Sequence, residues 1–283
     1  MPDGRTYKTP QALRTALEAR LLELAKRTGT DLQRFRRRVA FDRLLARMFS
    51  EQQDRPAWYL KGGYAIELRI ETARTTKDID LTIAAREPIT PESLHRMVDD
   101  AASLDLSDGF VFQIGESIRD LDAAPQGGSR FPVKARMAGR AFVGFHLDIG
   151  IGDDLIEPTD RIEGEGWFDF AGLPRPEFRM ISREQQFAEK LHAYTRPRVG
   201  RDNTRVKDLV DLLLLIRTQM EPRRLREDVE RTFAQRATHR IPAGLASPPE
   251  SWGPRFAELA AQCGIDPDID SALREVTQYL TGI

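Results

Sequence analysis

The sequence is poor in the residues that build disulfide frameworks and zinc sites. Its 283 residues include one cysteine, Cys263, and four histidines that are scattered along the chain. A lone cysteine excludes intrachain disulfide bonds and cysteine-rich metal sites, and it fits a reducing compartment, so we expect a cytoplasmic protein. Because zinc is usually held by clustered cysteine and histidine ligands, a zinc site is not expected either.

Long apolar segments are also missing. No apolar run approaches the roughly 18–20 residues that a membrane-spanning helix needs, so we expect no membrane helix. The first residues, Met1-Pro2-Asp3-Gly4-Arg5, contain no apolar core, and we therefore expect no signal peptide. With 40% hydrophobic and 31% charged residues, the composition favours an ordinary globular protein over a disordered or membrane protein.

Charge is unevenly distributed along the chain, although the net charge is only −1. Segment 20–47 holds nine basic and three acidic residues, and segment 190–207 holds six basic and one acidic residue. Such blocks can form a positive surface for a polyanion. Helices with solvated charged faces produce the same pattern, so both interpretations stay open at this point.

Hydrophobic periodicity predicts a mixed first half. Helices are expected within 10–50, with a break at Gly29-Thr30-Asp31, over 63–70, and from Pro91 to Ala102 with Thr90 as the N-cap. Alternating or continuous apolar runs predict strands over 57–61, 78–84, 110–114, 133–137 and 141–151.

The second half is predicted to be helical. From Ser182 onward the pattern indicates helices over 183–195, 204–220, 223–237, 254–262 and 268–280. The change of pattern lies near Gly172-Leu173-Pro174. We therefore expect an α+β fold with two domains, residues 1–172 and residues 173–283.

Two aspartates lie one residue apart in the apolar run Asp78-Ile79-Asp80-Leu81. Strand side chains alternate between faces, so Asp78 and Asp80 point the same way, about 6–7 Å apart along the backbone. Unpaired carboxylates are costly on a largely buried strand, and Mg²⁺ is the cation that usually binds carboxylate and phosphate oxygens together. We predict a magnesium site here; solvated strand or turn aspartates are the plain alternative.

A glycine pair precedes this run, with Gly63 fifteen residues before Asp78. Gly62 and Gly63 follow the apolar run Trp58-Tyr59-Leu60-Lys61, and glycine lets backbone N–H groups approach a triphosphate closely. The glycine pair and the aspartate pair together suggest a magnesium-dependent nucleotidyltransferase.

Asp148 is the candidate for a third carboxylate. It lies in the apolar run from Phe145 to Ile149, and a neighbouring strand could place it beside the aspartate pair, where it would hold metal and help to activate an attacking hydroxyl. A solvent-facing aspartate at a strand end is the alternative. His146 is expected to face the opposite side of this strand and to lie outside the site.

Charged residues of the helical half complete the candidate set. Lys190, in the predicted helix 183–195, is a compact point charge suited to binding a triphosphate. Asp208 and Asp211 are three residues apart, so they share one helix face. They would form salt bridges with Lys190 or Arg205, or orient the nucleotide; a helix-packing ion pair is the plainer possibility.

Four ordered segments resemble the AbiEii/AbiGii nucleotidyltransferase toxins, which include the MenT toxins, within the polymerase-β-like superfamily. The matching segments are Leu60-Lys61-Gly62-Gly63 with Glu67-Leu68-Arg69, Arg74-Thr75-Thr76-Lys77-Asp78-Ile79-Asp80, Gln186 to Ala193, and Arg205 to Leu212. The resemblance implies a bilobed protein, with a polymerase-β-like nucleotidyltransferase core built on a mixed sheet and a helical C-terminal lobe.

The resemblance also implies roles for individual residues. Asp78, Lys190 and Asp211 stand at positions that are essential in the family, and we add Asp80 and Asp148 to the catalytic set. Thr76 stands where some members have a serine that is important for activity and can be phosphorylated during neutralisation. The candidates for nucleotide binding are Lys61, Gly62, Gly63, Thr76, Lys77 and Asp208.

The expected function is transfer of NMP from an NTP, with Mg²⁺, to an RNA acceptor. By the resemblance the acceptor is the 3′ end of tRNA, the consequence is a block of translation, and a cognate antitoxin protein is a partner. The basic blocks fit the phosphates of such an acceptor. Two alternatives stay open: nucleotidylation of a small molecule, as in aminoglycoside-modifying enzymes, and a non-catalytic nucleotide-binding module.

Overall fold

The computed structural model of the chain describes residues 7–50, 57–83, 88–120, 126–198, 200 and 202–282, without the side chains of Arg119 and Asp120. The chain divides into two compact units. The first unit comprises the described parts of Met1–Leu60, Lys77–Asp153 and Arg161–Met180, and the second those of Lys61–Thr76, Asp154–Asp160 and Ile181–Ile283. The units thus alternate along the chain; domains 1–172 and 173–283 stay a prediction.

Helices and strands of the described residues follow the expected order. They are α1 (Pro10–Thr28), α2 (Leu32–Met48), β1 (Trp58–Lys61), α3 (Gly62–Arg69), β2 (Asp78–Ile83), α4 (Pro91–Ala102), β3 (Phe110–Ile114), β4 (Arg119–Asp120), β5 (Gly128–Met137), β6 (Arg140–Ile151), β7 (Asp160–Glu163), β8 (Glu177–Met180), α5 (Arg183–Thr195), α6 (Val206–Ile216), α7 (Pro222–Arg236), α8 (Gly253–Gln262) and α9 (Ile269–Thr281). In this part of the chain, no helix is long and apolar enough to cross a membrane.

Local chemistry explains where several helices begin. The side chains of Asp31, Thr90 and Ser182 accept hydrogen bonds from backbone N–H groups in the first turns of α2, α4 and α5. These contacts satisfy donors that have no partner within the helix. Gly29 ends α1 with a φ of 66°, the left-handed conformation that glycine adopts without strain. The predicted helix starts after Asp31, Thr90 and Ser182 are confirmed.

Hydrophobic periodicity did not predict three short strands. β4, β7 and β8 have two to four residues and, unlike β1, contain no apolar run. β8 nevertheless pairs in parallel with β1, with Leu60 opposite Met180. β5 begins at Gly128 instead of residue 133, and residue 84, the expected last residue of β2, lies outside the described residues.

The strands form one mixed sheet in the first unit. Seven strands follow the order β3-β5-β6-β2-β1-β8-β7, and β4 pairs with β5. β2 and β6 are parallel, whereas β5 and β6 form an antiparallel hairpin. Fully buried apolar side chains alternate with polar ones along β2, β6 and β5: Ile79, Leu81, Leu147, Ile149 and Phe131. The expected mixed sheet is confirmed.

The second unit is built around a helical core. α6 supplies a continuous buried stretch from Leu209 to Leu215, and the core also contains Phe187 and Leu191 of α5. Because α6 is apolar on nearly all sides, it must be surrounded by other elements. The described contacts of α6 are with α3, α5, α8 and α9. The prediction of a helical second half is confirmed.

Candidate functional site

Charged side chains of three adjacent strands share one face of the sheet. Asp80 of β2 lies in register with Asp148 of β6, and Asp148 lies opposite Arg130 of β5. Two residues along the ladder, Asp78 lies in register with His146. Residues in register point to the same face, as do residues two apart on a strand. The structure therefore brings the three aspartates together; Asp78, Asp80 and Asp148 are called the aspartate cluster below.

Arg130 binds this cluster through its guanidinium group. Its Nε donates to Asp148 Oδ1 (2.7 Å) and its Nη2 donates to Asp148 Oδ2 (2.6 Å). The same Nη2 lies 3.8 Å from Asp78 Oδ2. The hydrogen bond with Asp148 and the charges of Asp148, Asp78 and Asp80 outweigh partial burial and raise the pKa of Arg130. The guanidinium therefore stays charged and is attracted by all three carboxylates.

The prediction that His146 faces away from Asp148 is wrong. The Nδ1 atom of His146 lies 3.2 Å from Asp78 Oδ1. His146 and Asp148 are two residues apart, and strand alternation sends both side chains to the same face. His146 therefore borders the aspartate cluster and helps to orient Asp78.

The aspartate cluster has the donor chemistry for Mg²⁺ but not the geometry of a metal site in this structure. Among the described residues, no group of three or more His, Cys, Asp or Glu side chains is arranged to hold a metal ion. Carboxylate oxygens from β2 and β6 nevertheless converge on one cationic group, since Arg130 reaches both Asp148 and Asp78. Mg²⁺ prefers such oxygen ligands, so the chemistry of these side chains fits the ion.

A second set of charges lies in the second unit. Lys190 Nζ is 2.9 Å from Asp208 Oδ1 and 2.9 Å from Asp211 Oδ2. Arg74 forms a bidentate salt bridge with Asp211, in which Nε donates to Oδ1 (2.8 Å) and Nη2 donates to Oδ2 (2.7 Å). Arg205 Nη1 approaches Asp208 Oδ2 at 3.5 Å. The expected salt bridges of Lys190 and Arg205 are present; Lys190, Arg74, Asp208 and Asp211 are called the lysine network below.

Mutual attraction keeps the lysine network charged despite burial. Burial alone would lower the pKa of Lys190, but the charges of Asp208 and Asp211 outweigh it and raise this pKa. Burial alone would raise the pKa of Asp211, but Lys190 and Arg74 outweigh it and lower this pKa. A protonated lysine and an ionised aspartate are therefore maintained around neutral pH.

The glycine pair begins α3, where neighbouring side chains leave little space around the backbone. Gly62 has a φ of 67°, and its carbonyl accepts a hydrogen bond from Gln186 Nε2 (2.7 Å). A Cβ atom at position 63 would lie 2.8 Å from Thr76 Oγ1 and 3.4 Å from Arg74 Nη2. Gly63 is therefore needed for the close approach of α3 to the segment that carries Arg74 and Thr76.

The other nucleotide-binding candidates have contrasting surroundings. Thr76 is buried, and its backbone N–H donates to Glu67 Oε2 (3.1 Å). The Thr76 hydroxyl borders Gly63. Lys61 Nζ lies 3.4 Å from Glu189 Oε2, and Lys77 is exposed.

Two arginines of the basic segment 20–47 are buried in the interior. Arg43 and Arg47 of α2 are buried, and both donate to Asp108, each with a contact of 2.8 Å. These two arginines are therefore unavailable to an external polyanion, so any positive surface formed by segment 20–47 lacks them. Exposed cations that remain in this block are Arg20, Lys26 and Arg27.

Sequence reasoning missed two arginines and placed all the aspartates correctly in their elements. Arg74 lay within a matched segment, four residues before Asp78, yet its partner is remote in the sequence. Arg130 lay three residues before the predicted strand 133–137, and its place opposite Asp148 depends on the register of β5 and β6. The aspartate cluster lies within the first unit and the lysine network within the second.

Comparison with known proteins identifies a family and a similar solved structure. The family model described as Nucleotidyl transferase AbiEii toxin, Type IV TA system, matches residues 43–277. Among solved structures, MenT4, a nucleotidyltransferase toxin from Mycobacterium tuberculosis, is similar with a TM-score of 0.57 and 18% identity, over 95% of this chain and 98% of that chain. At that identity the likeness indicates a shared fold. No curated protein sequence matches the chain.

Proposed function

Because the chain belongs to the AbiEii family of nucleotidyltransferase toxins, we propose that it transfers NMP from an NTP to the 3′ end of tRNA and thereby blocks translation. The family makes the chain a nucleotidyltransferase of a toxin–antitoxin system, with an NTP as substrate and an antitoxin as partner. The acceptor, the metal and the cellular effect are our proposals. The observation that carries them is the aspartate cluster on one face of the sheet.

The aspartate cluster would hold the divalent ion. Asp78 and Asp80 are the proposed ligands, with Asp148 as the third, and the bound Mg²⁺ would neutralise charge on the phosphates of the NTP. His146 supports Asp78 through its contact with Oδ1, as groups behind a metal ligand commonly do. We further propose that Asp148 helps to activate the attacking ribose hydroxyl.

The lysine network would provide a fixed positive charge. We propose that Lys190 stabilises negative charge on the departing pyrophosphate, which requires a protonated amine at neutral pH. Its raised pKa supports this role. Arg74 is a positioning residue, since its fork fixes Asp211, whose second oxygen also contacts Lys190. Asp208 holds Lys190 from the other side.

The start of α3 and the residues around Thr76 are proposed to bind the nucleotide phosphates. Gly62 and Gly63 form the first turn of α3, where backbone N–H groups have no partner within the helix and attract anions. Lys61 immediately precedes this turn, Lys77 is exposed, and the Thr76 hydroxyl lies against Gly63.

Exposed cations support an RNA acceptor. Arg20, Lys26 and Arg27 are exposed on α1, and Arg196 and Lys207 are exposed in the second unit. Basic side chains of this kind neutralise RNA phosphates, and the affinity they provide falls with salt concentration. We therefore expect label transfer to tRNA to weaken as ionic strength rises.

Incubation with an α-labelled NTP, Mg²⁺ and total tRNA tests the proposal. Wild-type protein is expected to label tRNA, and Asp78→Asn is expected to label it at least about 100-fold less, because the charge that holds the metal is removed. The matched control is Asp169→Asn, an exposed aspartate of the first unit that pairs with Arg175. Intact-mass measurement of the tRNA then gives the base and the number of nucleotides added.

Three outcomes would contradict the proposal. Labelling by Asp78→Asn that equals wild type would remove the aspartate cluster from the reaction. Label in an aminoglycoside but not in tRNA would favour the small-molecule alternative. Binding of NTP without any transfer would favour the non-catalytic module.

A further inference from the structure

Arg130 places a positive charge where the proposed function needs a metal ion. Its Nε and Nη2 both form short hydrogen bonds with Asp148, and the same guanidinium lies 3.8 Å from Asp78. The Asp148 side chain is 12% exposed and that of Arg130 26% exposed, so this pair is better shielded from water than an ordinary surface ion pair.

The register of the β5–β6 hairpin places Arg130 opposite Asp148. A β-bulge between Ala135 and Arg136 shifts the pairing by one residue. Without this shift, a ladder that continued from Met137 opposite Arg140 would set Arg130 against Leu147 and not against Asp148. Bulges commonly re-aim a side chain next to a functional site. The irregularity in the hairpin therefore serves the contact between the guanidinium and the carboxylate.

We propose that Arg130 is an internal substitute for the metal ion, which compensates the aspartate cluster in the resting protein and must release Asp148 before a divalent cation binds there. The inference rests on the proposed function, because it takes the aspartate cluster as the metal site. Arg130 is a positioning residue in this scheme, acting on the metal ligands.

The scheme implies that metal and nucleotide bind cooperatively. Free Mg²⁺ must displace a bidentate, charge-assisted contact, so it binds weakly on its own. A released guanidinium needs a new anionic partner, and phosphate oxygens accept the same fork of donors. An NTP therefore favours the release of Asp148 and strengthens metal binding, and by linkage the metal strengthens NTP binding equally.

A merely structural ion pair predicts a different result on mutation. If Arg130 only braces β5 against β6, its removal destabilises the fold and leaves the metal affinity unchanged or lower. If it competes with the metal, its removal raises the affinity for Mg²⁺, and added Mg²⁺ restores the lost stability because the ion binds only the folded state.

The experiment titrates Mg²⁺ alone into wild-type protein and into Arg130→Gln, with calorimetry and the thermal midpoint as readouts. We expect Arg130→Gln to bind Mg²⁺ at least about tenfold more tightly, the lower end of the effect of losing a competing hydrogen bond between charged groups. The matched control is Arg175→Gln, which removes a guanidinium from Asp169 in the same unit. This control should bind Mg²⁺ like wild type.

Two further variants keep the result decisive. In Arg130→Gln combined with Asp148→Asn, the gain in affinity should disappear, which assigns it to the released carboxylate. Arg130→Lys retains the charge but cannot form the bidentate contact, so it should show a smaller gain, and it replaces Arg130→Gln if that variant does not fold. Equal or weaker Mg²⁺ binding by a folded Arg130 variant overturns the inference.

The metal titration contains no NTP and no RNA, so it separates this inference from the proposed function. Wild-type protein that labels no tRNA contradicts the proposed acceptor, whereas the response of Mg²⁺ affinity to Arg130→Gln is still measured. Conversely, normal labelling of tRNA together with unchanged Mg²⁺ affinity in the variant contradicts only the role of Arg130.

Discussion

The aspartate cluster and the lysine network solve the problem of concentrated charge in opposite ways. In the lysine network two cations face two carboxylates, and both carboxylates are almost fully buried. In the aspartate cluster three carboxylates share the guanidinium of Arg130, and Asp78 is 36% exposed. The first arrangement is balanced and shielded from water, whereas the second retains negative charge that water partly screens.

This difference indicates what each arrangement is suited to. A buried network loses its stability when one partner is removed, so it holds its members at fixed positions. A partly exposed group of like charges is stabilised by an additional cation, because the attraction gained exceeds what water already supplies. The lysine network is therefore suited to presenting one permanent charge, and the aspartate cluster to binding a charge that comes and goes.

The largest effect on stability is expected from Lys190→Met, which removes one of the two cations of the lysine network. Two buried carboxylates would lose a shared cation, and the free energy of unfolding should fall by about 3–5 kcal/mol. Urea denaturation measures this change. The matched control is Arg223→Met, whose ion pair with Glu227 is largely exposed and should contribute little. Similar losses in the two variants would show that the lysine network is no more important to stability than a surface pair.

A smaller effect on stability, of opposite sign, is expected from Asp80→Asn. This variant removes one of three like charges from the aspartate cluster, so the free energy of unfolding should be unchanged or should rise by up to about 1 kcal/mol. Transfer to tRNA should nevertheless fall at least about 100-fold, since a proposed metal ligand is lost. Urea denaturation tests the expected stability, and the labelling assay, run on the same preparation, tests the loss of transfer. A loss of stability comparable with that of Lys190→Met would contradict the contrast between the two clusters.

The smallest effect is expected in the pH dependence of the stability that the lysine network provides. The pKa of Lys190 is raised in the folded protein, so its stabilising contribution is complete below its ordinary value of 10.5 and is lost as pH rises beyond it. The pKa of Asp211 is lowered, so its contribution is complete above 3.8 and is lost as pH falls further. The stability difference between wild type and Lys190→Met should thus stay constant from about pH 6 to 9. A difference that narrows toward pH 9 would mean that Lys190 loses its proton there.

Much of the fold was predictable because its causes are local. Helix starts follow from Asp31, Thr90 and Ser182, whose side chains satisfy backbone donors a few residues away. The placement of Asp78 and Asp80 on one strand face follows from alternation alone, and the same rule applied to His146 would have avoided the wrong prediction. β7 and β8 were missed because their few residues include charged ones and lack the apolar run that marked β1.

The partners of the candidate residues were less predictable. Asp211 was assigned to Lys190 or the nucleotide from its helix face, but Arg74, which forks onto it, lies 137 residues earlier in the chain. Nothing in local pattern relates residues so far apart. The same holds for the buried contacts of Arg43 and Arg47 with Asp108, which place two cations of the basic segment 20–47 in the interior.

By itself, the sequence determined the elements, their caps, the alternation that directs the aspartates to one face and the motifs that identify the family, since these depend on residues close together in the chain. Only the tertiary structure decided which charges meet. Arg130 lies opposite Asp148 because one bulge shifts a ladder by a single residue, and Arg74 contacts Asp211 because α3 and α6 pack together. Such contacts arise from the packing of whole elements, and the energy that selects them is shared among many residues.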